Sequence, residues 1–433
     1  YAESGIKNYT HSVDLWMKNS GLIIDCDEKK NALRNLFKNS KVAFIYGAAG
    51  TGKSTMINYI SSLFKDKQKI FLANTNPAVE NLRRKVTAEH AEFVTITKFL
   101  SKDVSNDCDI LCLDECSTIS NRDMVRVLQR AQCKLLVLVG DIYQIESILF
   151  GNWFNIAYKV MPKDSVAELT RPHRTTVQGL IEVWNKVREI TEDRLEFITR
   201  NGLSSTLDES IFSRTEEDEI VLCLNYDGIY GINNINKFLQ SNNVNPSINW
   251  GVLSYKVGDP VLFNESNRFA PLVYNNLKGK ILQIEEEEEC IYFTIEVYTV
   301  LNELDVIGFD LELKESVTDE TSVIRFKVGR GGDGNDDNDN VENVVPFQVA
   351  YAISIHKAQG LEYESVKVVI TSEIEEMVSH NIFYTAITRA KSKLKIYWSP
   401  ETEKRILENM KVQFNDKDYQ LFKAKYKEAL LKS

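Results

Sequence analysis

The chain alternates between short apolar runs rich in β-branched residues and longer stretches whose apolar residues recur at helical spacing. "KVAFIY" (41–46), "KIFLA" (69–73), "FVTI" (93–96), "DILCLDE" (109–115) and "KLLVLVG" (134–140) read as strands. Helical patterns such as "PAVENLRRKV" (77–86) and "RDMVRVLQRA" (122–131) separate several of them. Strands alternating with helices predict a parallel sheet covered on both faces. This first α/β domain is expected over 21–170, after an N-terminal extension over 1–20.

A second α/β set opens with the strand "EIVLCLN" (219–225) and the helix "YGINNINKFLQ" (230–240). The pattern then breaks. "YKVGDPVLFN" (255–264), "NLKGKILQIEEEEECIYFTIEVY" (276–298) and "SVIRFKV" (322–328) predict antiparallel strands of a small β-rich insert. The α/β pattern resumes with "VPFQVAYAISIHKAQG" (345–360) and "SVKVVI" (365–370). The expected fold class is therefore α/β, with two parallel-sheet domains and a β-rich insert in the second. Its expected divisions are 171–250 for the first part of domain 2, 251–328 for the insert and 329–344 for an acidic flexible loop. The second part of domain 2 follows over 345–400, and a helical tail over 401–433.

Length agrees with this division, since 433 residues exceed what one hydrophobic core usually serves. The apolar fraction is ordinary and no apolar run reaches membrane-spanning length, so a cytoplasmic protein without a membrane partner is expected. The chain starts at Tyr1 rather than Met, which leaves a removed leader or an upstream domain open. A net charge of −10 argues against non-specific coating of nucleic acid but leaves room for a local basic channel, with "LRRK" (82–85) and "TRAKSKLK" (388–395) as candidates.

Seven cysteines without paired spacing read as reduced thiols. Cys108, Cys112 and Cys116 recur every fourth residue, yet on one strand at ~3.3 Å per residue the outer two lie about 26 Å apart, too far to share a metal. The run "EEEEE" (285–289) reads as a solvated hairpin tip. "GRGGDGNDDNDN" (329–340) has Asn338 and Val344 where a calcium loop needs its glycine and its bidentate glutamate.

The chemistry is concentrated in a few stretches. In "FIYGAAGTGKSTMINYI" (44–60), Gly47 through Ser54 fits G-x-x-x-x-G-K-[ST]. Gly47, Ala48, Ala49, Gly50 and Gly52 are small enough, with Thr51 among them, for backbone N–H groups to wrap a phosphate chain. Lys53 then reaches the β- and γ-phosphates, the Ser54 hydroxyl binds Mg²⁺, and the following helix contributes its positive end. This predicts a nucleoside triphosphate site. "ILCLDECS" (110–117) puts Asp114, a metal holder, beside Glu115, which can polarise an attacking water. "LVLVGDIYQIES" (136–147) offers Gln144, whose amide can donate to a phosphate oxygen and accept from water. "AELTRPHRTT" (167–176) carries Arg171 and Arg174, and "HNIFYTAITRAKSKLKIYW" (380–398) carries Arg389. Each arginine suits neutralising charge on a transferred phosphoryl group, although taken alone each is more ordinary as a surface or salt-bridge residue.

The order of these stretches, with "IHKAQGLEY" after them, resembles a superfamily 1 helicase over about residues 22–398. "AISIHKAQGLEY", "VPFQVAYA" and "YKVGDPVLFNESN…YNNLKGKI" make it RecD-like or Dda-like, whereas UvrD-like enzymes carry larger helical inserts. The resemblance implies two RecA-like P-loop domains, ATP and Mg²⁺ as ligands, and 5′→3′ movement on single-stranded DNA with unwinding of tailed duplexes. It gives Gly50, Gly52, Lys53, Ser54 and Thr55 to the triphosphate and Mg²⁺, together with Gly360 and Glu362. It makes Arg174 and Arg389 the arginines that act across the nucleotide cleft. Thr75, Asn76 and Thr97 on one domain and His356 and Lys357 on the other would grip the strand.

Lys29 stands where the family carries an adenine-reading glutamine, so loose selection between ATP and GTP is expected. A nuclease, repair or phage-defence protein is the partner class implied, and a DNA-gated ATPase switch without processive unwinding is the alternative. Nothing in the sequence reads a 2′-OH, so RNA is the weaker substrate. Phe150, Trp153 and Phe154 are open to two readings, as core or as stacking surfaces for bases.

Overall fold

The computed structural model describes residues 13–21, 23–24, 26–37, 41–101, 106–145, 151–264, 268–270, 272–316, 318–330, 343–411 and 416–432. Phe150, residues 1–12 of the expected extension and residues 331–342 of the expected acidic loop lie outside them. Two compact units form. One holds the chain up to Arg194, Ser379–Thr388 and the segment from Met410; the other holds Leu195–Val378 and Arg389–Asn409.

In the first unit the apolar runs become β1 (Val42–Gly47), β2 (Lys69–Ala73), β3 (Ala91–Thr95), β4 (Asp107–Leu113), β5 (Gln132–Gly140) and β6 (Val166–Leu169). They form one parallel sheet in the order β3-β2-β4-β5-β1-β6. The two-residue period of a strand explains its two cores. Ala43 and Ile45 of β1 face Ile57 and Ile60 of the helix Lys53–Leu63. Phe44 faces the other way, onto Met124 and Val127 of the helix Asn121–Arg130. A strand buried on both faces must be apolar throughout, which is why these runs are continuous rather than alternating.

Phe154 is 1% exposed and stacks on Phe44 at 4.4 Å, while the Trp153 indole N–H donates to the Ile119 carbonyl at 2.9 Å. Phe154 is thus committed to the core and cannot stack on bases.

The second unit continues with β7 (Ser204–Ser205), β8 (Glu219–Cys223), β9 (Ser247–Trp250), β10 (Leu253–Lys256), β11 (Pro260–Phe263), β12 (Lys278–Glu286) and β13 (Cys290–Val297). After these come β14 (Glu312–Lys314), β15 (Ser322–Gly329), β16 (Phe347–Val349), β17 (Ala352–Ser354), β18 (Tyr363–Val369) and β19 (Ala390–Tyr397). A parallel sheet runs β17-β8-β18-β19-β7. The insert is an antiparallel sheet, β14-β15-β13-β12-β11-β16, with the separate hairpin β9–β10.

The alternation of buried and half-buried residues along β13 gives the insert its own core, in which Phe263, Phe293, Phe326 and Phe347 cluster. The wholly buried Asp259 ties the insert's start to the α/β part. Its carboxylate accepts from Gln240, Asn243, the Lys256 N–H and the Tyr351 hydroxyl, at 2.6–2.9 Å. Two features differ from the sequence reading. The acidic run is not all tip, because Glu285 and Glu286 complete β12 and bond Arg325 and Arg330. "FQV" (347–349) also pairs with β11 as an edge of the insert before the chain enters β17.

Candidate nucleotide site

All six strands of the first sheet point the same way, so the loops after them gather at one edge. The phosphate-loop sequence follows β1, Asp114 follows β4, Gln144 lies beyond the end of β5, and Arg174 lies beyond the end of β6. Thr75 and Asn76 follow β2, and Thr97 follows β3. A parallel sheet binds its ligands outside the carboxyl ends of its strands, and this edge carries the charged side chains for it.

The loop is shaped by local constraints. Gly50 and Gly52 take left-handed φ values of +76° and +81°, which side chains strongly disfavour. Thr51, wholly buried, closes the loop by donating its hydroxyl to the Ala48 carbonyl at 2.9 Å. Lys53 opens the helix Lys53–Leu63 and folds over the loop, donating to the Gly47 and Ala48 carbonyls at 2.8 and 3.0 Å. Ser54 is half-buried and Thr55 exposed in the same first turn. A small-residue loop, an ammonium and a positive helix end thus lie together, and the donor chemistry fits a polyphosphate.

Asp114 is fixed at the end of β4 by its N–H, which donates to the Leu72 carbonyl at 2.9 Å. Burial pushes its carboxyl pKa up, against the opposing pull of the Glu115 amide, Lys53 and Lys85. That amide donates to Asp114 Oδ1 at 2.9 Å. A partly buried carboxylate and, on the phosphate loop of the same sheet edge, the Ser54 hydroxyl are hard-oxygen donors, and a dication would offset the cost of keeping the carboxylate charged. Glu115 has φ +50°, an uncommon conformation for a residue with a side chain. Its carbonyl accepts from both the amide and the hydroxyl of Thr118, which holds that conformation in place. On the Gln144 loop, the Tyr143 N–H donates to Asp141 at 3.0 Å and the Ile145 N–H donates to Thr385 Oγ1 at 3.3 Å.

Arg174 lies in the first unit, against the loop itself: a Cβ placed on Gly50 would come within 2.4 Å of the Arg174 Cβ. Its Nη1 donates to the Thr388 carbonyl at 2.6 Å, and the preceding His173 N–H donates to the Gly50 carbonyl at 2.6 Å. The division of the chain at Arg194, later than the boundary of 170 read from sequence, has a local cause. The Trp184 indole donates to the Ile387 carbonyl and His380 Nε2 bonds the Val187 carbonyl, fastening the helices Gln178–Glu189 and His380–Ile387 together.

Three residues at the loop had no assigned role in the sequence. Lys29 is only 2% exposed; its ammonium donates to His173 Nε2 at 2.8 Å and sits beside Gly52. Burial first and Lys29 second hold the His173 pKa below its ordinary value, in keeping with a neutral ring that accepts this bond. Tyr384 brings its hydroxyl to the Ala49 N–H at 3.4 Å. Only Lys29 had signalled itself, by standing in place of an amide; the other two needed contacts between residues distant in sequence.

Within the second unit, Arg389 is 1% exposed and donates to the Leu361 carbonyl at 3.3 Å, while its own carbonyl accepts from the Tyr363 N–H. Glu362 lies between those residues, and its carbonyl accepts from Lys278 of β12 at 3.1 Å. Gly360 is exposed in the same loop. His356, exposed, and Lys357, bonded to Gln348 at 2.8 Å, lie just beyond the end of β17. Thr75, Asn76 and Thr97 are exposed in the first unit, and Thr75 caps the helix Asn76–Lys85 by accepting from the Ala78 N–H.

A strand, a phosphate loop, a helix and an acidic pair at the edge of a parallel sheet define a P-loop ATPase. Residues 26–208 match the AAA domain family, and residues 349–397 match the UvrD-like helicase C-terminal domain. An uncharacterised protein of Methanocaldococcus jannaschii is 24% identical over 85% of this chain, which spans only 37% of that protein's length. The RecD subunit of the RecBCD enzyme from Buchnera aphidicola is 23% identical over 89% of this chain and 78% of its own.

Among solved structures, Pif1 helicase from Candida albicans superposes with a TM-score of 0.54 at 19% identity, over 90% of this chain and 99% of that one. Pif1 from Bacteroides in complex with ADP-AlF3 and ssDNA gives 0.51 at 18% identity, over 87% and 93%. The chain carries the ATPase core of a superfamily 1 DNA helicase, of the RecD/UvrD/Pif1-like kind. Among the described residues, no helix is long and apolar enough to cross a membrane.

Proposed function

We propose that this chain is an ATP-driven motor that moves 5′→3′ on single-stranded DNA and unwinds tailed duplexes. The observation that carries the reading is the gathering of the phosphate loop, Asp114, Glu115, the Gln144 loop and Arg174 at one sheet edge, with Thr75, Asn76 and Thr97 on that same edge. Nucleotide chemistry and candidate strand contacts thereby share one rigid support. Relatedness to a RecD subunit and the fold of a Pif1 helicase solved with ssDNA support DNA as the track.

In this reading Lys53 and the loop amides bind the triphosphate, and Ser54 and Asp114 would hold Mg²⁺, which when bound neutralises charge on the phosphates. Glu115 orients and polarises the attacking water, and Gln144 senses the γ-phosphate. Arg174 and Arg389 offset the charge that develops in transfer, and Gly360 and Glu362 complete the nucleotide contacts. Thr75, Asn76 and Thr97 on one side and His356 and Lys357 on the other alternate their hold on the strand as nucleotide binds and leaves. ATP hydrolysis measured with and without single-stranded DNA tests the reading. Stimulation by the strand is expected, and turnover indifferent to DNA would remove the motor.

A further inference from the structure

The helix His380–Ile387 belongs to the first unit, far in sequence from what it touches there. Four bonds join it, or the residue after it, to the rest of that unit, three of them at the site. Tyr384 Oη accepts from the Ala49 N–H of the phosphate loop at 3.4 Å. Thr385 Oγ1 accepts from the Ile145 N–H, one residue past Gln144. The Ile387 carbonyl accepts from Trp184 and the Thr388 carbonyl from Arg174. The next residue is Arg389. One short helix therefore bears on the phosphate loop, the Gln144 loop and Arg174, and the chain that leaves it is the second arginine.

Tyr384 is wholly buried, so a phenylalanine would pack there equally well. What the hydroxyl adds is its bond to the Ala49 amide. Burial pushes the phenol pKa far up, so it remains a neutral hydroxyl that can accept from that amide. The amide in turn belongs to the loop whose N–H groups are the candidate phosphate ligands.

We propose that Tyr384 is a positioning latch: it holds the Ala49 N–H while the loop is free of nucleotide, yields it when a triphosphate fills the loop, and passes that change along its helix to Arg389. The latch rests on the ATPase reading above. It has a counterintuitive consequence. A bond that must break on binding opposes binding, so its removal tightens the nucleotide, while the lost link to Arg389 slows turnover.

Tyr384→Phe removes only the hydroxyl. The expected result is ATP bound about 2- to 10-fold tighter, the effect of one net hydrogen bond. Alongside it, kcat falls about 10-fold, and the nucleotide-free protein loses stability by no more than that one bond, a split between binding and turnover that a packing role does not produce. Trp184 supplies a second readout. Its indole bonds the same helix, so the emission change on adding ATP, defined as the part absent from Trp184→Phe, is present in the wild type and lost in Tyr384→Phe.

Wild-type affinity, turnover and emission response in Tyr384→Phe would overturn the proposal, as would weaker binding of ATP. Thr385→Val, of similar volume, probes the helix from its other tie, with lower turnover and a smaller Trp184 response at unchanged affinity; wild-type values for both would also overturn it. An emission response to bound ATP without any hydrolysis by the wild type would sink the ATPase reading and leave the latch standing.

Discussion

Replacing Gly50 by alanine tests how the phosphate loop is held. At φ +76° the added Cβ costs about 1–2 kcal/mol in backbone strain alone. It would also stand 2.4 Å from the Arg174 Cβ, 3.2 Å from that residue's amide nitrogen and 3.4 Å from its Cα, whereas carbon contacts settle near ~3.5–4.0 Å. The atoms in the way belong to the backbone and its first carbon rather than to a flexible tip, so the loop or Arg174 must move by about 1 Å. Overpacking of this kind costs about 1–3 kcal/mol.

Gly202 supplies the control. It has φ +63° and nothing within 4 Å of its added Cβ, so Gly202→Ala carries the backbone cost only. Denaturant unfolding is expected to show Gly50→Ala less stable than Gly202→Ala by about 1–3 kcal/mol. Titration with ATP is expected to show an affinity loss of about 10-fold or more for Gly50→Ala and none for Gly202→Ala. Equal stability and wild-type affinity in Gly50→Ala would refute the packing of Arg174 on the loop.

Three further outcomes follow from the site. Lys53→Ala is expected to abolish hydrolysis and weaken ATP binding, whereas Glu115→Gln keeps ATP bound and stops turnover; filter binding beside steady-state rates separates the two. Arg174→Ala and Arg389→Ala should each lower kcat by ~10³ with much smaller changes in affinity, and a change in affinity alone would make them ground-state clamps. Burial holds the pKa of His380 below its ordinary 6.5, so the unfolded chain takes up a proton there before the folded one does. Stability is therefore lost as pH falls below 6.5 toward the folded value, and His380→Gln should flatten that slope in unfolding titrations at pH 5–7.

Much of the fold was legible because a buried parallel strand leaves a continuous apolar run. The runs at 41–46, 69–73, 109–115 and 134–140 each lie within two residues of an observed strand. The insert was legible through the two-residue alternation of β13. The contents of the first unit were harder to read. His380, Phe383, Tyr384, Ala386 and Ile387 are buried around much of their helix, which says that the helix is covered but not by what. Its partners, Ala49, Ile145 and Trp184, lie about 200–340 residues away, beyond the reach of any local pattern. Lys29 shows the same limit. A lysine on an amphipathic helix ordinarily reads as a solvated face, yet here His173 accepts from it and it is buried. The candidate nucleotide residues could be named without such contacts, because the chemistry proposed for them fixes their spacing within single loops.

The central claim is that hydrolysis at this site drives movement along one DNA strand in one direction. The most direct measurement is strand displacement from two duplexes identical except that one carries a 5′ single-stranded tail and the other a 3′ tail, with ATP and Mg²⁺ present. Release of the strand from the 5′-tailed duplex alone, abolished by Glu115→Gln, is the predicted result. Release from the 3′-tailed duplex alone would contradict the direction, and no release from either would contradict the motor itself.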